Sequence, residues 1–315
     1  MPETVRRESV PPDWRWYLAL AVPAVILLAG LAWWWLLPQT RVAREGPRPG
    51  ADGTGPSFLR ALALDPTTNT LFMGSPRGLL RSLDEGRTWI RMGIERPGVT
   101  AEILALAVHP RDPRRLYAGT ERGLLVSGDG GRSWGRVGEG LEGMGVRLLA
   151  LDPARPERLY AWTTSSRLVG SADSGRRWDL LGEGPASAPL ALTVTLEPNA
   201  SGGSREATPL AGTAAGLFRW RQSAAWMPTG AGLAAGPVQA LGVDPSHPVR
   251  VYAAQGQRIL RSETGGREWT VAGETPVPVT ALAVRPGGAV LYAGAATGRV
   301  LRSVDSGARW TVQNP

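Results

Sequence analysis

The sequence contains no cysteine and no lysine, and only two histidines, among its 315 residues. Without cysteine, a disulfide framework, a thiolate nucleophile and a thiolate metal site are all excluded. His109 and His247 stand alone beside prolines, so they make a poor metal site and are expected to be solvated loop residues. The sequence therefore predicts neither a metal nor another cofactor.

The absence of lysine means that all 35 basic side chains are arginine, and they outnumber 27 acidic residues to give a formal net charge of +8. A basic surface favours anionic partners. A G+C-rich genome also produces arginine in place of lysine, so the charge has a second, non-functional explanation. No basic helix or aromatic stacking platform accompanies the charge, and nucleic acid is therefore not expected as a partner.

Long apolar runs are scarce, and the sequence has one, YLALAVPAVILLAGLAWWWLL (17–37). At ~1.5 Å per residue a helix of this length crosses the ~30 Å hydrocarbon core of a bilayer. Tryptophans flank both ends, as residues at a membrane interface do. The sequence predicts a tail (1–14), a transmembrane signal-anchor helix (15–37) and a Pro/Gly-rich linker (38–56). The alternative is a signal peptide cleaved near Gly30-Leu31-Ala32.

The anchor gives an expected location. A short tail before a signal-anchor normally stays in the cytoplasm, which places the remainder outside. We therefore expect a single-pass protein of the bacterial cytoplasmic membrane with residues 57–315 on the extracytoplasmic side.

Residues 57–315 are periodic. Each unit opens with an apolar run that ends in a polar residue and proline, such as LALDP (62–66), and two further apolar runs follow, such as LFMG (71–74) and GLLRS (78–82). Four short apolar elements at a period of ~40–50 residues are typical of a β-propeller blade. The sequence predicts an all-β fold, a six-bladed β-propeller of four-stranded blades, with no strand borrowed across the ring closure.

An octapeptide, S-x-D-x-G-x-x-W, ends five of the six units: SLDEGRTW (82–89), SGDGGRSW (127–134), SADSGRRW (171–178), SETGGREW (262–269) and SVDSGARW (303–310). A short aspartate side chain can accept backbone N–H groups in a turn, glycine adopts positive φ, and tryptophan buries a large ring. A structural role is predicted for Asp84, Gly86, Trp89, Asp129, Gly131, Trp134, Asp173, Gly175, Trp178, Gly266, Trp269, Asp305, Gly307 and Trp310. The fifth unit has Thr264 in place of aspartate. The fourth reads WRQSAAW (220–226) and keeps only its tryptophan.

The octapeptide resembles the Asp-box, or BNR repeat, of sialidases, sortilin-type receptors, some glucanases and many bacterial propellers. The sialidase resemblance implies catalytic residues and a Phe/Tyr-Arg-Ile-Pro motif that is missing here. It also implies a nucleophilic tyrosine, whereas Tyr117, Tyr160, Tyr252 and Tyr292 share one second-strand position and are predicted to be core residues. No catalytic residue is assigned, and a glycan-binding or glycoside-hydrolysing propeller remains the alternative.

The organisation is also similar to the photosystem II assembly and stability factors, which are Asp-box propellers with an arginine-rich surface. That resemblance implies a non-enzymatic scaffold or assembly factor for a membrane or extracytoplasmic complex. In this sequence arginine recurs between the second and third strands, and Arg147 lies near the start of a first strand. The candidate partner-binding residues, for a protein with an acidic surface, are Arg77, Arg122, Arg147, Arg167, Arg258 and Arg299. The alternative is that they are ordinary exposed arginines.

Overall fold

The computed structural model describes residues 59–93, 102–198, 205–221 and 225–314. The predicted tail, signal-anchor helix and linker lie outside these residues. Within the described ranges, no helix is long and apolar enough to cross a membrane. The described residues form six antiparallel sheets of four strands each, and every sheet is built from strands that are consecutive in the sequence.

The two inner strands of each sheet are apolar because both of their faces pack against protein. Most of their side chains are buried, and β2, for example, is buried along its whole length. The innermost strands are β1 (Ala61–Leu64), β5 (Ala105–Val108), β9 (Val146–Leu151), β13 (Pro189–Pro198), β17 (Ala240–Val243) and β21 (Ala281–Val284). The second strands are β2 (Leu71–Ser75), β6 (Leu116–Thr120), β10 (Leu159–Thr163), β14 (Arg205–Thr213), β18 (Val251–Gln255) and β22 (Leu291–Gly294).

The outermost strand of each sheet is the most exposed, as an edge with one neighbour must be. The third strands are β3 (Gly78–Ser82), β7 (Gly123–Ser127), β11 (Arg167–Ser171), β15 (Gly216–Arg221), β19 (Arg258–Ser262) and β23 (Val300–Ser303). The fourth strands are β4 (Ile90–Met92), β8 (Gly135–Val137), β12 (Asp179–Glu183), β16 (Ala225–Thr229), β20 (Thr270–Glu274) and β24 (Thr311–Val312).

The sheets are arranged in a closed ring. Each innermost strand contacts the innermost strand of the next sheet, and β21 contacts β1. A core cluster containing Leu59, Leu62, Met73, Tyr292 and Val300 joins the last blade to the first. The predicted six-bladed propeller of four-stranded blades is thus confirmed, and the described residues close the ring by side-chain packing with no exchanged strand.

Blade 4 departs from the repeat. Its first two strands, β13 and β14, form a long hairpin. Near the end of this hairpin Glu197 forms a buried ion pair with Arg219 of β15 (Nη1–Oε2 2.9 Å). The carboxylate compensates the burial of the guanidinium, which would otherwise be costly.

The two faces of the propeller are identified by backbone hydrogen bonds. The octapeptide of a blade bonds to the connection between the first and second strands of that blade, as in Gly130 N to Arg114 O (2.8 Å) and Ser174 N to Glu157 O (2.8 Å). We call this side the octapeptide face. The turns between second and third strands lie at the other ends of these strands, on the side that we call the arginine face.

Candidate functional site: the arginine face

Buried hydroxyl groups build the turns of the arginine face. Thr120 Oγ1 donates to the carbonyl of Gly123 (2.9 Å) and accepts the N–H of Arg122 (3.1 Å). Ser75 makes the same two bonds, to Gly78 and Arg77. A side chain that closes a turn in this way competes well with water for the turn's backbone groups. The backbone of each arginine is therefore fixed while its side chain points to solvent.

All six predicted arginines are exposed. Arg77 and Arg122 lie in the turns, Arg167 and Arg258 are the first residues of β11 and β19, and Arg299 directly precedes β23. Arg147 is the second residue of β9. The structure places them at one end of the blades, but their binding role stays a prediction.

Two of the six arginines face glutamates across a strand pair. Arg258 lies opposite Glu274 in β20, with Nε 3.8 Å from Oε1. Arg167 lies opposite Glu183 in β12. Opposite charges on paired strands attract, although such an exposed pair contributes only ~0–1 kcal/mol. The sequence did not reveal these pairs because each glutamate lies on the fourth strand. Which residue of that strand faces the arginine depends on how the octapeptide turn returns the chain.

The blade 2 turn that holds Arg122 contacts Arg136 of its own blade and the segment that precedes Arg147 in blade 3. Arg136 of β8 donates from Nη1 to the carbonyl of Arg122 (3.1 Å). Gly145, two residues before Arg147, packs so closely on the turn of blade 2 that an added Cβ would lie 2.6 Å from the carbonyl oxygen of Glu121. We call Arg122, Arg136 and Arg147 the arginine cluster. Sequence reasoning missed Arg136 because it lies in an outer strand.

Arg60 is a second residue that sequence reasoning missed. It precedes β1 near the central channel and forms a salt bridge with Glu102 of the next blade (Nε–Oε1 3.2 Å). The repeat could have predicted Arg60, because Arg60 directly precedes the first strand of its blade and Arg147 is the second residue of the first strand of blade 3. The arginine face therefore carries both paired guanidinium groups and the arginine cluster.

The octapeptide aspartates are used by their own turns. Asp129 Oδ1 accepts the N–H groups of Arg132 (2.9 Å) and Ser133 (2.9 Å) and the hydroxyl of Ser127 (2.8 Å). Hydrogen bonds from Ser133 and Ser127 hold the pKa of Asp129 well below its usual range. Asp84, Asp173 and Asp305 make similar bonds, each in a different blade. These bonds are local to each turn, and the structural role of the aspartates stays a prediction. In blade 5, Thr264 Oγ1 accepts the N–H of Glu268 (2.9 Å) and lies 3.3 Å from the hydroxyl oxygen of Ser262.

The glycines and tryptophans of the octapeptides take part in the same turns. Each of the five glycines has positive φ, between +85° at Gly266 and +93° at Gly307. Each of the five tryptophans donates from Nε1 to the carbonyl of the glycine three residues earlier, at 2.9–3.1 Å. Trp178 and Trp269 are buried, whereas the rings in blades 1, 2 and 6 are half-buried.

Trp226 of blade 4 does not follow the repeat. Its Nε1 donates to the carbonyl of Glu183 in blade 3 (3.0 Å), and its ring centroid lies 5.3 Å from that of Trp220. Trp226 was expected to be equivalent to the octapeptide tryptophans. This expectation is wrong, because its indole N–H bonds to another blade. The sequence has Ser223, where an octapeptide would have glycine, three residues before Trp226, and the indole N–H bonds to the neighbouring sheet instead.

The described residues contain no group of three or more His, Asp and Glu side chains arranged to hold a metal ion. Three of the four second-strand tyrosines, Tyr117, Tyr252 and Tyr292, are fully buried, and Tyr160 is partly buried. Burial raises the pKa of all four phenols. A buried, protonated phenol in a sheet is a core residue, as the sequence predicted.

Fold and site together define a six-bladed β-propeller with an arginine-bearing face. It is similar in structure to a GH74 enzyme of Niastella koreensis (19% identity, TM-score 0.55), covering 80% of this chain and 46% of that one. It is also similar to the GH74 xyloglucanase of Xanthomonas campestris (20% identity, TM-score 0.55; 84% and 48%). The chain spans about half the length of these two enzymes.

A third similar structure is YCF48 bound to a D1 peptide (18% identity, TM-score 0.50), which covers 82% of both chains. At these identities the three likenesses show the fold alone. No protein-family model matches the sequence. No curated protein sequence matches it either.

Proposed function

We propose that this protein is a membrane-anchored, non-enzymatic β-propeller that acts as a scaffold or assembly factor for a membrane or extracytoplasmic complex. In this proposal the apolar segment 17–37 anchors the chain in the bacterial cytoplasmic membrane, and the propeller lies on the extracytoplasmic side. The arginine face is the docking surface for a partner protein that presents carboxylates.

The observation that carries the proposal is the arginine cluster. Arg136 bonds to the turn that holds Arg122, the segment just before Arg147 packs on that same turn, and all three arginines are exposed. Exposed guanidinium groups on one face of a protein attract an anionic ligand. Each guanidinium can form a bidentate pair with a carboxylate.

The similar structure of YCF48 bound to a D1 peptide supports a peptide-binding role. In that structure a propeller of comparable length holds a segment of another protein. Binding through a basic face should be fast at low ionic strength and weaken as salt is added, because screening shortens the range of the attraction to ~8 Å at physiological ionic strength.

Charge reversal tests the proposal. The variant Arg122→Glu/Arg147→Glu/Arg299→Glu should lose partners that are cross-linked in native membranes and recovered by mass spectrometry with the wild-type chain, with at least a tenfold drop in yield. The matched control is Arg87→Glu/Arg132→Glu/Arg309→Glu, which changes the same charge at exposed positions of the octapeptides. Equal capture by both variants would overturn the arginine face as the docking surface.

The alternative function, glycoside binding or hydrolysis, has the two GH74 structures as its support. It is tested by incubating the detergent-solubilised full chain with xyloglucan and with aryl glycosides. The non-enzymatic proposal expects no release of reducing sugar or aryl alcohol. Turnover above the level of a heat-denatured sample would establish an enzyme instead.

A further inference from the structure

The central channel of the propeller is lined by apolar side chains from the innermost strands of all six blades. It encloses a volume of about 180 Å³. Toward the octapeptide face the wall is made by Leu64, Val108, Leu151 and Val243, all of which remain partly accessible. Apolar surface left in contact with water is unfavourable by ~25 cal/mol per Å², so this end of the channel gains stability when an apolar group fills it.

The size of the space fits one side chain. An apolar cavity of ~150 Å³ is large enough for a benzene ring. A volume of about 180 Å³ therefore accommodates the ring of a phenylalanine or a leucine side chain. Pro110, Pro153 and Pro245 form part of the wall where the channel opens. Proline has a fixed φ and no N–H, so these positions are rigid and offer no donor to water.

The rim of this opening is positively charged. Arg111 follows Pro110, is exposed, and reaches the loop of blade 3, where its Nη2 donates to the carbonyl of Ala154 (3.0 Å). Arg155, in that same loop, has a side chain that is 48% exposed. Both guanidinium groups therefore stand beside the apolar opening with much of their surface in water.

Two of the neighbouring carboxylates, Asp152 and Asp244, are buried in their turns; Asp152 Oδ2 also lies 3.6 Å from Nε of Arg155, and Glu157 of the same loop is exposed. Asp152 is fully buried and accepts the N–H groups of Ala154 and Arg155. Asp244 is fully buried and bonds to Ser246, Gly287 and Arg250. A ligand approaching the opening thus meets exposed arginines and an apolar pocket.

We propose that the octapeptide-face end of the channel is a second protein-binding site, which takes one large apolar side chain of a peptide segment that is flanked by acidic residues. The apolar side chain enters between Val108, Leu151 and Val243, and the flanking carboxylates pair with Arg111 and Arg155. The site lies on the face opposite the arginine cluster, so its occupancy is independent of the function proposed above.

The test uses the detergent-solubilised full chain and a fluorescein-labelled peptide, acetyl-Asp-Glu-Phe-Glu-Asp-amide, followed by fluorescence anisotropy. The peptide should bind, and replacing its phenylalanine by alanine, or its acidic residues by lysine, should weaken binding at least tenfold. Arg111→Glu/Arg155→Glu should weaken binding at least threefold, whereas Arg87→Glu/Arg132→Glu, which changes exposed arginines of two octapeptides, should leave it unchanged. Absence of binding, or equal affinity for the alanine peptide, would overturn the proposal.

A photo-cross-linking measurement locates the peptide without altering the channel wall. Benzoylphenylalanine replaces phenylalanine in the same peptide, and the adducts are mapped by mass spectrometry. Cross-links to Val108, Leu151 or Val243 support the site. Cross-links confined to the arginine face or to detergent would contradict it, and binding to the arginine face would at the same time leave the function proposed above intact.

Discussion

Arg302 on the third strand of blade 6 forms a salt bridge with Glu85 in the octapeptide of blade 1, with Nη2 3.1 Å from Oε1. The next residue, Gly86, packs on Val300 of the same blade 6 strand. The octapeptide turn is thus a joint between blades as well as a turn within one. Among the residues that the structure describes, no strand is exchanged at the ring closure, and this contact and the surrounding apolar cluster hold the first and last blades together.

Replacing Gly86 by alanine should weaken the packing between blades 1 and 6. Gly86 has φ +92°, and an added Cβ would lie 3.0 Å from Cγ1 of Val300 and 3.4 Å from Cδ1 of Leu71. A non-glycine residue in such a conformation costs ~1–3 kcal/mol. We expect Gly86→Ala to lower the free energy of unfolding by about that amount in denaturant titration. Gly128→Ala in the octapeptide of blade 2 is the control, because its added Cβ meets nothing within 4 Å; equal losses in the two variants would refute the argument.

The salt bridge between Arg302 and Glu85 should contribute measurably to stability. Both side chains are about three-quarters buried, so solvent screens the pair less than at the surface. A double-mutant cycle with Arg302→Met and Glu85→Gln should give a coupling free energy of ~1 kcal/mol. The comparison is Arg177 with Glu139, at the same 3.1 Å but 76% and 72% exposed, where coupling near zero is expected. Coupling that is no larger at the ring closure would count against its role there.

The octapeptide of blade 5 has Thr264 in place of aspartate, and restoring the aspartate should add hydrogen bonds to its turn. Thr264 accepts one N–H, whereas Asp129 accepts two and also receives the hydroxyl of Ser133. Glu268 occupies the position of Ser133 and would repel an aspartate at 264. We expect Thr264→Asp alone to change thermal stability little, and Thr264→Asp/Glu268→Ser to raise the free energy of unfolding by ~1 kcal/mol. The reverse change, Asp129→Thr, should lower it by a similar amount, and a stability gain from the single variant would show that the repulsion is unimportant.

His109 should make stability depend on pH. Its Nδ1 accepts the N–H groups of Arg111 (3.3 Å) and Asp112 (3.0 Å), as Asp152 does with its carboxylate in blade 3. Burial, followed by the charge of Arg115, lowers the pKa of His109 below 6.5. His109 therefore takes up a proton more readily in the unfolded chain than in the folded one. The stability that this turn contributes is lost as pH falls below 6.5. Chemical denaturation between pH 8 and 5 should show this slope.

The matching variant is His109→Asp, which keeps an acceptor at this position and removes the imidazole. Its free energy of unfolding should fall less between pH 8 and 5 than that of the wild-type chain. An identical slope in the two chains would show that another group is responsible.

The repeat made most of the fold predictable, because each octapeptide turn is a local structure. Asp129, Gly131 and Trp134 lie within six residues, and the bonds of Asp129 to Ser133 and of Trp134 to Gly131 need no distant partner. The sequence pattern did not reveal that the residue before the glycine is also left-handed. Glu85, Ser174 and Ser306 all have φ near +60°, which their turns impose in spite of the side chain.

The candidate site was only partly predictable. The exposed arginines of the second-to-third turns follow from the repeat, since their position in the blade is fixed by strands that are neighbours in the sequence. Arg136 and the glutamates opposite Arg167 and Arg258 were missed, because their place depends on how the fourth strand returns past the third. The apolar channel opening was also missed, because it is formed by one strand from each of six blades and these strands are far apart in the sequence.

The sequence by itself determined six blades, the chemistry of their turns and the absence of thiol chemistry, because these depend on composition and on residues close together in the chain. Only the tertiary structure decided that Trp226 bonds to the preceding blade, that Gly86 packs on Val300 and that Gly145 of blade 3 packs on the Arg122 turn of blade 2. Those contacts are set by the packing of one sheet against the next, and a periodic pattern describes each sheet without specifying what its neighbour presents to it.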